Sequence, residues 1–506
     1  PAPAGPPVRI GLMRPPHGGP TCFSVEYEGK LWVAKAEDKV FLLPGMANRH
    51  GLIAGASGTG KSVTLKVLAE SFSEIGVPVF LSDVKGDMAG LLNPGAGGER
   101  MERRIDDLGI DRFSYEGFPC RFWDVYGENG HPVRVTVESM GPDALSRILE
   151  LSQVQTDVLG VLFSICADSG WRLVDSKDLV AAIQYISDNR QDYESEYGSM
   201  STQTLGAIQR SVRAFSDRGG DTFFGEPALD INDWMGTDDD GRGWVNILHS
   251  VKLAHNPKLY ATFLVWLMTE LFRVLPEEGD PEQPKMVFFF DEAHMLFSDA
   301  PKNLLQDVER TVKLIRSKGV GIYFISQSPS DIPDQVLSQL SNRVQHALRA
   351  YTPGEQKAVR AAASAFRPNP AFRTEDVITE LGVGEALVSF LDEEGRPGVV
   401  QKAKVLPPRS HIGSIPETDY EAAIKGTRMD RKYGRTVDGP SAFEAIEALR
   451  KKAPKEPKKE SGKKKSEPKK KQGALSKNLS KMAGSASTAV GRGIGDKISK
   501  KLFGRK

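Results

Sequence analysis

The sequence reads Gly55-Ala56-Ser57-Gly58-Thr59-Gly60-Lys61-Ser62 between an apolar run at residues 50–54 and a helical pattern at residues 63–75. Glycines allow successive backbone N–H groups to close around phosphate oxygens, where a Cβ atom would block the approach. Lys61 adds a positive charge at the β- and γ-phosphates, and Ser62 offers a hydroxyl to Mg²⁺ at the positive end of the following helix. The strand, glycine loop and helix together predict a phosphate-binding loop.

The nucleotide contacts are predicted to fall on consecutive residues of this loop and of the first helical turn. They are Gly55, Ala56, Ser57, Gly58, Thr59, Gly60, Lys61, Ser62 and Val63. A nucleotide with Mg²⁺ is the expected ligand, because loops of this kind hold the phosphates of a nucleoside triphosphate and place the Ser or Thr hydroxyl on the metal. An ordinary turn between a strand and a helix is the alternative.

Two adjacent carboxylates follow a second buried strand. The run Met286-Val-Phe-Phe-Phe290 is apolar throughout, as expected for a strand covered on both faces, and it ends in Asp291-Glu292-Ala293-His294. Asp291 is predicted to hold Mg²⁺ through water, and Glu292 to orient or deprotonate the attacking water. The alternative is that the two acids supply helix-capping charge. His294 is expected to be structural rather than a ligand.

Two further polar residues follow predicted strands. Asp83 comes after the run at residues 77–82, and Gln327 follows the strand predicted at residues 320–325. Because ligands of open α/β sheets bind at the carboxyl ends of the strands, Asp83 is predicted to lie near the γ-phosphate or its water. Gln327 is predicted to sense the γ-phosphate. Asp83 has an alternative role as an aspartate that closes a turn.

The helix predicted at residues 300–318 carries several basic residues. Arg316 lies near its end and is predicted to reach across a subunit boundary as an arginine finger, which makes hydrolysis depend on assembly. A solvated surface role is the alternative for this residue. Arg343 competes for the same assignment.

The composition is that of an ordinary folded protein. The 506 residues are 39% hydrophobic and 26% charged, which allows a sizeable core and two or three domains. Cys22, Cys120 and Cys166 are too far apart for a Cys-x-x-Cys metal motif. The apolar run at residues 259–272 is too short for a membrane span and is expected to be a buried helix. These features predict a protein of the reducing cytoplasm without a transmembrane segment.

Charge is unevenly distributed along the chain. Residues 450–506 hold 20 Lys and Arg against four Asp and Glu, a net charge of +16, which leaves −15 on residues 1–449. Residues 451–472 are a low-complexity run that is expected to be disordered. The basic tail is predicted to bind a polyanion or an acidic protein partner.

The sequence predicts six ranges. They are an N-terminal arm with a small β-element (1–44), the first part of the nucleotide-binding core (45–97), a mixed, mainly helical insertion (98–255), the second part of the core (256–408), a helical linker (409–450) and the basic low-complexity tail with a candidate amphipathic segment (451–506). Within the insertion, residues 133–137 alternate like a strand, and residues 143–166, 177–187 and 202–216 show helical patterns.

From about Phe23 to the basic C-terminus, the sequence resembles the HerA/FtsK superfamily of P-loop ATPases, and most closely its bacterial YjgR-type HerA-like branch. The resemblance is carried by His50 to Ser62, Asp83-Val-Lys-Gly-Asp87, Phe290-Asp-Glu-Ala-His294, Arg316-Ser-Lys-Gly-Val320 and Ile325-Ser-Gln327. It implies an α/β fold with a RecA-like (ASCE) P-loop core and a mostly parallel sheet.

The resemblance also implies Mg²⁺-dependent ATP hydrolysis in a homo-oligomer, a hexameric ring with its sites between subunits. The roles that it implies are nucleotide and metal binding for Lys61 and Ser62, hydrolysis for Asp83 and Glu292, action in trans for Arg316 and γ-phosphate sensing for Gln327.

The function predicted from these features is an ATP-hydrolysing ring motor that translocates double-stranded DNA. The prediction that DNA is the substrate rests on the resemblance and on the basic tail, because the acidic body shows no zinc-finger or helix-turn-helix pattern. The competing hypothesis is an ATP-driven motor or switch that acts on a protein partner, with the tail as its docking arm. A third hypothesis is a weak ATPase whose main role is assembly.

Overall fold

The computed structural model describes residues 25–452, apart from residues 218, 280 and 298–301. The strands in this part of the chain are β1 (Glu26–Tyr27), β2 (Lys30–Lys35), β3 (Lys39–Leu42), β4 (Gly51–Ala54), β5 (Val79–Asp83), β6 (Cys120–Asp124), β7 (His131–Pro132), β8 (Val245–His249), β9 (Met286–Phe290), β10 (Val320–Ser326), β11 (Asn342–Gln345), β12 (Glu385–Ser389) and β13 (Gln401–Val405).

The helices are α1 (Lys61–Glu74), α2 (Glu99–Leu108), α3 (Val137–Ile148), α4 (Gln153–Asp168), α5 (Ser176–Asp188), α6 (Arg190–Tyr197), α7 (Thr202–Asp217), α8 (Pro257–Val274), α9 (His294–Phe297), α10 (Lys302–Ile315), α11 (Asp334–Leu337), α12 (Pro353–Ser364), α13 (Thr374–Glu380), α14 (Glu417–Ile424), α15 (Arg428–Tyr433) and α16 (Ala442–Lys452). A short 3-10 helix, Arg316–Lys318, joins α10 to β10.

The strands form one sheet in the order β1-β2-β13-β12-β11-β4-β10-β9-β5-β8-β6-β7, with β3 paired to β2. Neighbouring strands from β11 to β7 run parallel, and the pairs from β11 to β1 are antiparallel. The predicted α/β class with a mostly parallel sheet is confirmed. Because β10 lies between β4 and β9, the phosphate loop and the acidic pair follow two strands that end at the same edge of the sheet.

Strand β9 explains why its sequence is an unbroken apolar run. All of its residues are buried. Phe288 packs against Phe80 on one face of the sheet, and Phe289 packs against Phe72 of α1 and against Tyr323 on the other. A strand covered on both faces has no position for a polar side chain until it ends, which is where Asp291 stands.

Helix α8 confirms that the apolar run at residues 259–272 is a buried helix. The side chain of Asn256 accepts a hydrogen bond from the N–H of Leu259 (3.2 Å), and Pro257 takes the first helical position. This N-cap with a following proline fixes where the helix begins. No helix in the described part of the chain is long and apolar enough to cross a membrane.

The ranges predicted from the sequence share this sheet. The N-terminal β-element corresponds to β1–β3 and joins the sheet through β2 and β13, where Lys35 pairs with Lys404. Residues 98–255 add β6, β7 and β8 together with α2 to α7. The strand predicted at residues 133–137 is wrong, because β7 ends at Pro132 and α3 begins at Val137.

The residues from 25 to 452 belong to one compact unit. The division of this unit into five ranges stays a prediction. Of the predicted tail at residues 451–506, Lys451 and Lys452 belong to α16 and residues 453–506 lie outside the described residues. Residues 1–24 of the predicted N-terminal arm, with Cys22, also lie outside them.

Candidate nucleotide-binding site

The phosphate loop connects β4 to α1 and requires glycine at two positions. Gly55 has φ 153° and Gly60 has φ 119°, in a region that L-residues with a side chain rarely adopt. A Cβ atom on Gly55 would lie 2.5 Å from Cβ of His346, and one on Gly60 would lie 3.2 Å from Cα of Gly384. The loop is therefore packed tightly from beneath, and a larger residue at either position would displace it.

Lys61 and Ser62 open helix α1 directly after the loop. Nζ of Lys61 donates to the carbonyl oxygens of Gly55 (2.6 Å) and Ala56 (3.1 Å). Burial, followed by repulsion from Lys85, lowers the pKa of Lys61. The N-cap Gly60 supplies no side-chain cap to the helix. The amino end of α1 thus offers backbone N–H groups, a serine hydroxyl and an ammonium group to an anion.

His346 supports the loop from below. Its Nδ1 lies 3.0 Å from the carbonyl oxygen of Glu385, so Nδ1 carries the proton and Nε2 accepts from the hydroxyl of Thr64 (2.8 Å). Burial lowers the pKa of His346 to about 4, and the ring is neutral. The sequence analysis missed this residue, which lies nearly 300 positions after the loop in the chain.

Asp291 stands at the end of β9 with one oxygen engaged and one available. Its Oδ1 accepts the backbone N–H of Glu292 (2.9 Å). Its Oδ2 is buried without a hydrogen-bond partner among the described residues, and its closest cation is Nζ of Lys85 at 3.5 Å. Burial raises the pKa of Asp291 to about 6, with a further contribution from the charge of Glu292.

Glu292 has a strained backbone conformation, and its carboxylate contacts several side chains. Its φ is 48°, which is uncommon for a residue with a side chain and is found preferentially at functional sites. Oε1 lies 2.7 Å from Nζ of Lys85, while Oε2 lies 3.2 Å from Nδ1 of His294 and 3.5 Å from Nε2 of Gln327. Burial opposes ionisation of Glu292, but the hydrogen bond and charge of Lys85 outweigh it and lower the pKa.

The structure brings Gln327 beside Glu292 and gives Asp83 a turn-closing position. Oδ1 of Asp83 accepts the N–H groups of Lys85 (3.2 Å) and Gly86 (2.7 Å), and Oδ2 accepts that of Met88 (2.9 Å). Burial raises the pKa of Asp83. Both oxygens are therefore used by the loop that carries Lys85, a residue to which the sequence analysis assigned no role.

Arg316 lies at the opposite edge of the sheet from the phosphate loop. It precedes β10, whose seven residues separate the two edges by roughly 20 Å. Its charge acts on His50, just before β4, where burial is the main cause that lowers the pKa to about 4. Arg343 instead donates to the carbonyl oxygens of Leu337, Leu340 and Ala365. Arg316 therefore cannot reach the site of its own subunit, and Arg343 is occupied by its own fold.

The residues present fit a magnesium nucleotide. The amino end of α1 offers uncapped backbone N–H groups and the ammonium group of Lys61 to phosphates, and Oδ2 of Asp291 is a buried acceptor that no described hydrogen-bond donor satisfies. In the described part of the chain no group of three His, Cys, Asp or Glu side chains could hold a metal alone. This pattern suits Mg²⁺, which takes one or two protein ligands and completes its shell with phosphates and water.

Comparisons with known proteins found relatives in sequence and in structure. The chain is 23% identical over 359 residues to the DNA double-strand break repair helicase HerA of Saccharolobus solfataricus, which covers 67% of this chain and 61% of that protein. The bacterial conjugative coupling protein TrwBdeltaN70 has a similar structure, with a TM-score of 0.50 and 16% identity over 77% of this chain and 92% of the other. This likeness supports the fold.

The sequence profile of the family described as Helicase HerA-like C-terminal matches residues 28–503, nearly the whole chain. Within this range the glycine loop follows β4, the acidic pair follows β9, and strand β10 lies between the two in the sheet. The chain therefore belongs to the Helicase HerA-like C-terminal family.

Proposed function

We propose that the chain hydrolyses ATP, with Glu292 preparing the attacking water. The observation that carries this proposal is the position of Glu292, an ionised carboxylate held at positive φ beside Gln327 and next to an available oxygen of Asp291. Its lowered pKa keeps it charged at neutral pH, as a residue that accepts or orients a water proton must be.

The other residues bind and orient the substrate. The amino end of α1 and Lys61 hold the phosphates, and Ser62 with Asp291 would hold Mg²⁺. The ion, when bound, neutralises charge on the phosphate oxygens. In this proposal Gln327 senses the γ-phosphate through the carboxylate of Glu292, and its hydrogen bond to Glu292 supports the role.

We further propose that hydrolysis requires a homo-oligomer, of which a hexameric ring is the expected form. The supporting observation is the distance between Arg316 and the loop of its own subunit, which leaves action on a neighbouring subunit as its route to a nucleotide. Double-stranded DNA is the proposed substrate of the motor, because the similar HerA protein is a DNA repair helicase and the tail at residues 450–506 carries a net charge of +16.

The test is the ATPase rate against added double-stranded DNA, at low and moderate salt, over a series of protein concentrations. Stimulation that steepens with protein concentration and fades with salt is the expected result, because sites completed in trans need assembly and phosphate contacts are screened by salt. A Lys61→Ala variant provides the background rate. An ATPase rate that does not change with added DNA at any protein concentration would refute the proposed DNA motor. It would favour a motor or switch that acts on a protein partner.

A further inference from the structure

The side chain of Lys85 forms ion pairs with both acids that follow β9, Asp291 and Glu292. Its Nζ lies 2.7 Å from Oε1 of Glu292 and 3.5 Å from Oδ2 of Asp291. Glu292 is 8% exposed and Asp291 is 3% exposed, so both carboxylates are shielded from water. Within the described residues, no other lysine or arginine pairs with either of them. A single ammonium group therefore pairs with both of the acids on which the proposed chemistry depends.

The ammonium groups of Lys85 and Lys61 face the same region. Nζ of Lys61 is turned onto the carbonyl oxygens of Gly55 and Ala56, and the charge of Lys85 acts on it across the space between the phosphate loop and the acidic pair. Two cations that lie near enough to repel each other beside the phosphate loop favour a ligand with several negative charges. A polyphosphate that enters between them would satisfy both.

Hydrogen bonds fix the backbone of Lys85, whereas its partly exposed side chain has room to change its position. The carboxylate of Asp83 accepts the N–H groups of Lys85, Gly86 and Met88, which closes the loop after β5. The side chain of Lys85 is 42% exposed and leaves this anchored base as a flexible four-carbon stem. Nζ can therefore exchange one partner for another without a change in the fold.

We propose that Lys85 is a second phosphate-binding lysine, which latches Glu292 until a γ-phosphate draws its ammonium group away. This inference rests on the proposed ATPase function. In the latched state the ammonium group occupies Oε1 of Glu292, at 2.7 Å, and keeps that oxygen from a water. When a triphosphate is bound, Nζ of Lys85 leaves the Glu292 oxygen and pairs with a γ-phosphate oxygen. The carboxylate of Glu292 is then free to act on water. ADP lacks that phosphate and leaves the latch closed.

The first test measures nucleotide binding rather than turnover. Affinities of the full chain for Mg²⁺ with ADP, and with the non-hydrolysable ATP analogue AMPPNP, are determined by calorimetry in a Glu292→Gln background, where the charge of the latch is already absent. Adding Lys85→Met should weaken AMPPNP binding tenfold or more and change ADP binding less than threefold. Lys85→Arg should retain most of the AMPPNP affinity.

Lys252 provides a matched control. It follows the adjacent strand β8, is 51% exposed and pairs with Glu128, so Lys252→Met removes a comparable charge from the same edge of the sheet. This change should leave both affinities unaltered. If Lys252→Met and Lys85→Met weakened AMPPNP binding equally, the loss of any positive charge at this edge of the sheet would explain the effect. That result would overturn the proposal.

The second test is a double-mutant cycle on the melting temperature with Lys85→Met and Glu292→Gln. The two changes should be non-additive in the nucleotide-free and ADP-bound protein and additive with AMPPNP, because only the γ-phosphate breaks the pair. Coupling of the same size in all three states would make Lys85 a static partner and refute the latch alone. Failure of the wild-type chain to bind either nucleotide would refute the ATPase function as well.

Discussion

His346 should make the folded protein lose stability as the pH falls from 7 to 5. Burial lowers its pKa from 6.5 to about 4, and no part of its side chain is exposed. The unfolded chain therefore binds more protons than the folded chain between pH 4 and 6.5, so the free energy of unfolding decreases as the pH falls through this window. With these two pKa values, the loss between pH 7 and pH 5 is about 2 kcal/mol for this residue.

The assay compares the wild-type chain with His346→Gln by urea unfolding of the nucleotide-free protein at both pH values. Gln cannot take up a proton, so the variant should lose about 2 kcal/mol less than the wild type over this range. His50 and His131, whose pKa values burial also lowers to about 4, are present in both proteins and cancel. Equal losses in the two proteins would show that His346 is protonated in the folded state and would refute its assignment as a neutral support.

Three further changes address catalysis, assembly and the tail. Glu292→Gln should preserve nucleotide binding and lower turnover by about 10²- to 10⁴-fold, measured in a steady-state ATPase assay; retained turnover would remove Glu292 as the residue that prepares water. Arg316→Ala should lower turnover without weakening nucleotide affinity. Mixing its subunits with Lys61→Ala subunits should restore part of the activity, and mixtures as inactive as their components would contradict action in trans. Truncation after Arg450 should reduce DNA affinity and flatten its salt dependence, whereas an unchanged salt slope would exclude the tail as a phosphate-binding arm.

The local part of the site could be predicted from the sequence. The phosphate loop and the acidic pair each consist of a few consecutive residues. The neighbouring strand is an apolar run, and the neighbouring helix shows a helical pattern of apolar residues. The placement of His346 and Lys85 could not be predicted in this way. His346 reaches Thr64 and Lys85 reaches Glu292 only because β11 and β5 lie beside β4 and β9 in the sheet. Strand order is set by long-range pairing, which no local pattern records.

Two sequence patterns within residues 98–255 gave the wrong element or none. The helical pattern at residues 143–166 is interrupted because Ser152 and Gln155 form a capping box that begins a new helix. Strand β8 was missed because Val245–His249 does not alternate, although the sheet covers it on both sides through β5 and β6. The side chain of Asn246 is buried within it and donates to the carbonyl oxygen of Trp234 (3.0 Å). A polar residue that is satisfied inside the core looks, in sequence, like a break in a strand.

Three aspartates at the carboxyl ends of parallel strands show what determines whether such a residue is available for chemistry. The loops after Asp83 and Asp124 fold back, and each carboxylate accepts three backbone N–H groups, so both oxygens are used to close a turn. After Asp291 the chain turns through the positive φ of Glu292 into α9, and among the described residues only the N–H of Glu292 donates to the carboxylate. Its second oxygen keeps no hydrogen-bond partner in the described structure. The strained backbone of Glu292 thus has a direct consequence for the site, since it keeps the following N–H groups away from Asp291 and leaves an oxygen for a metal ion.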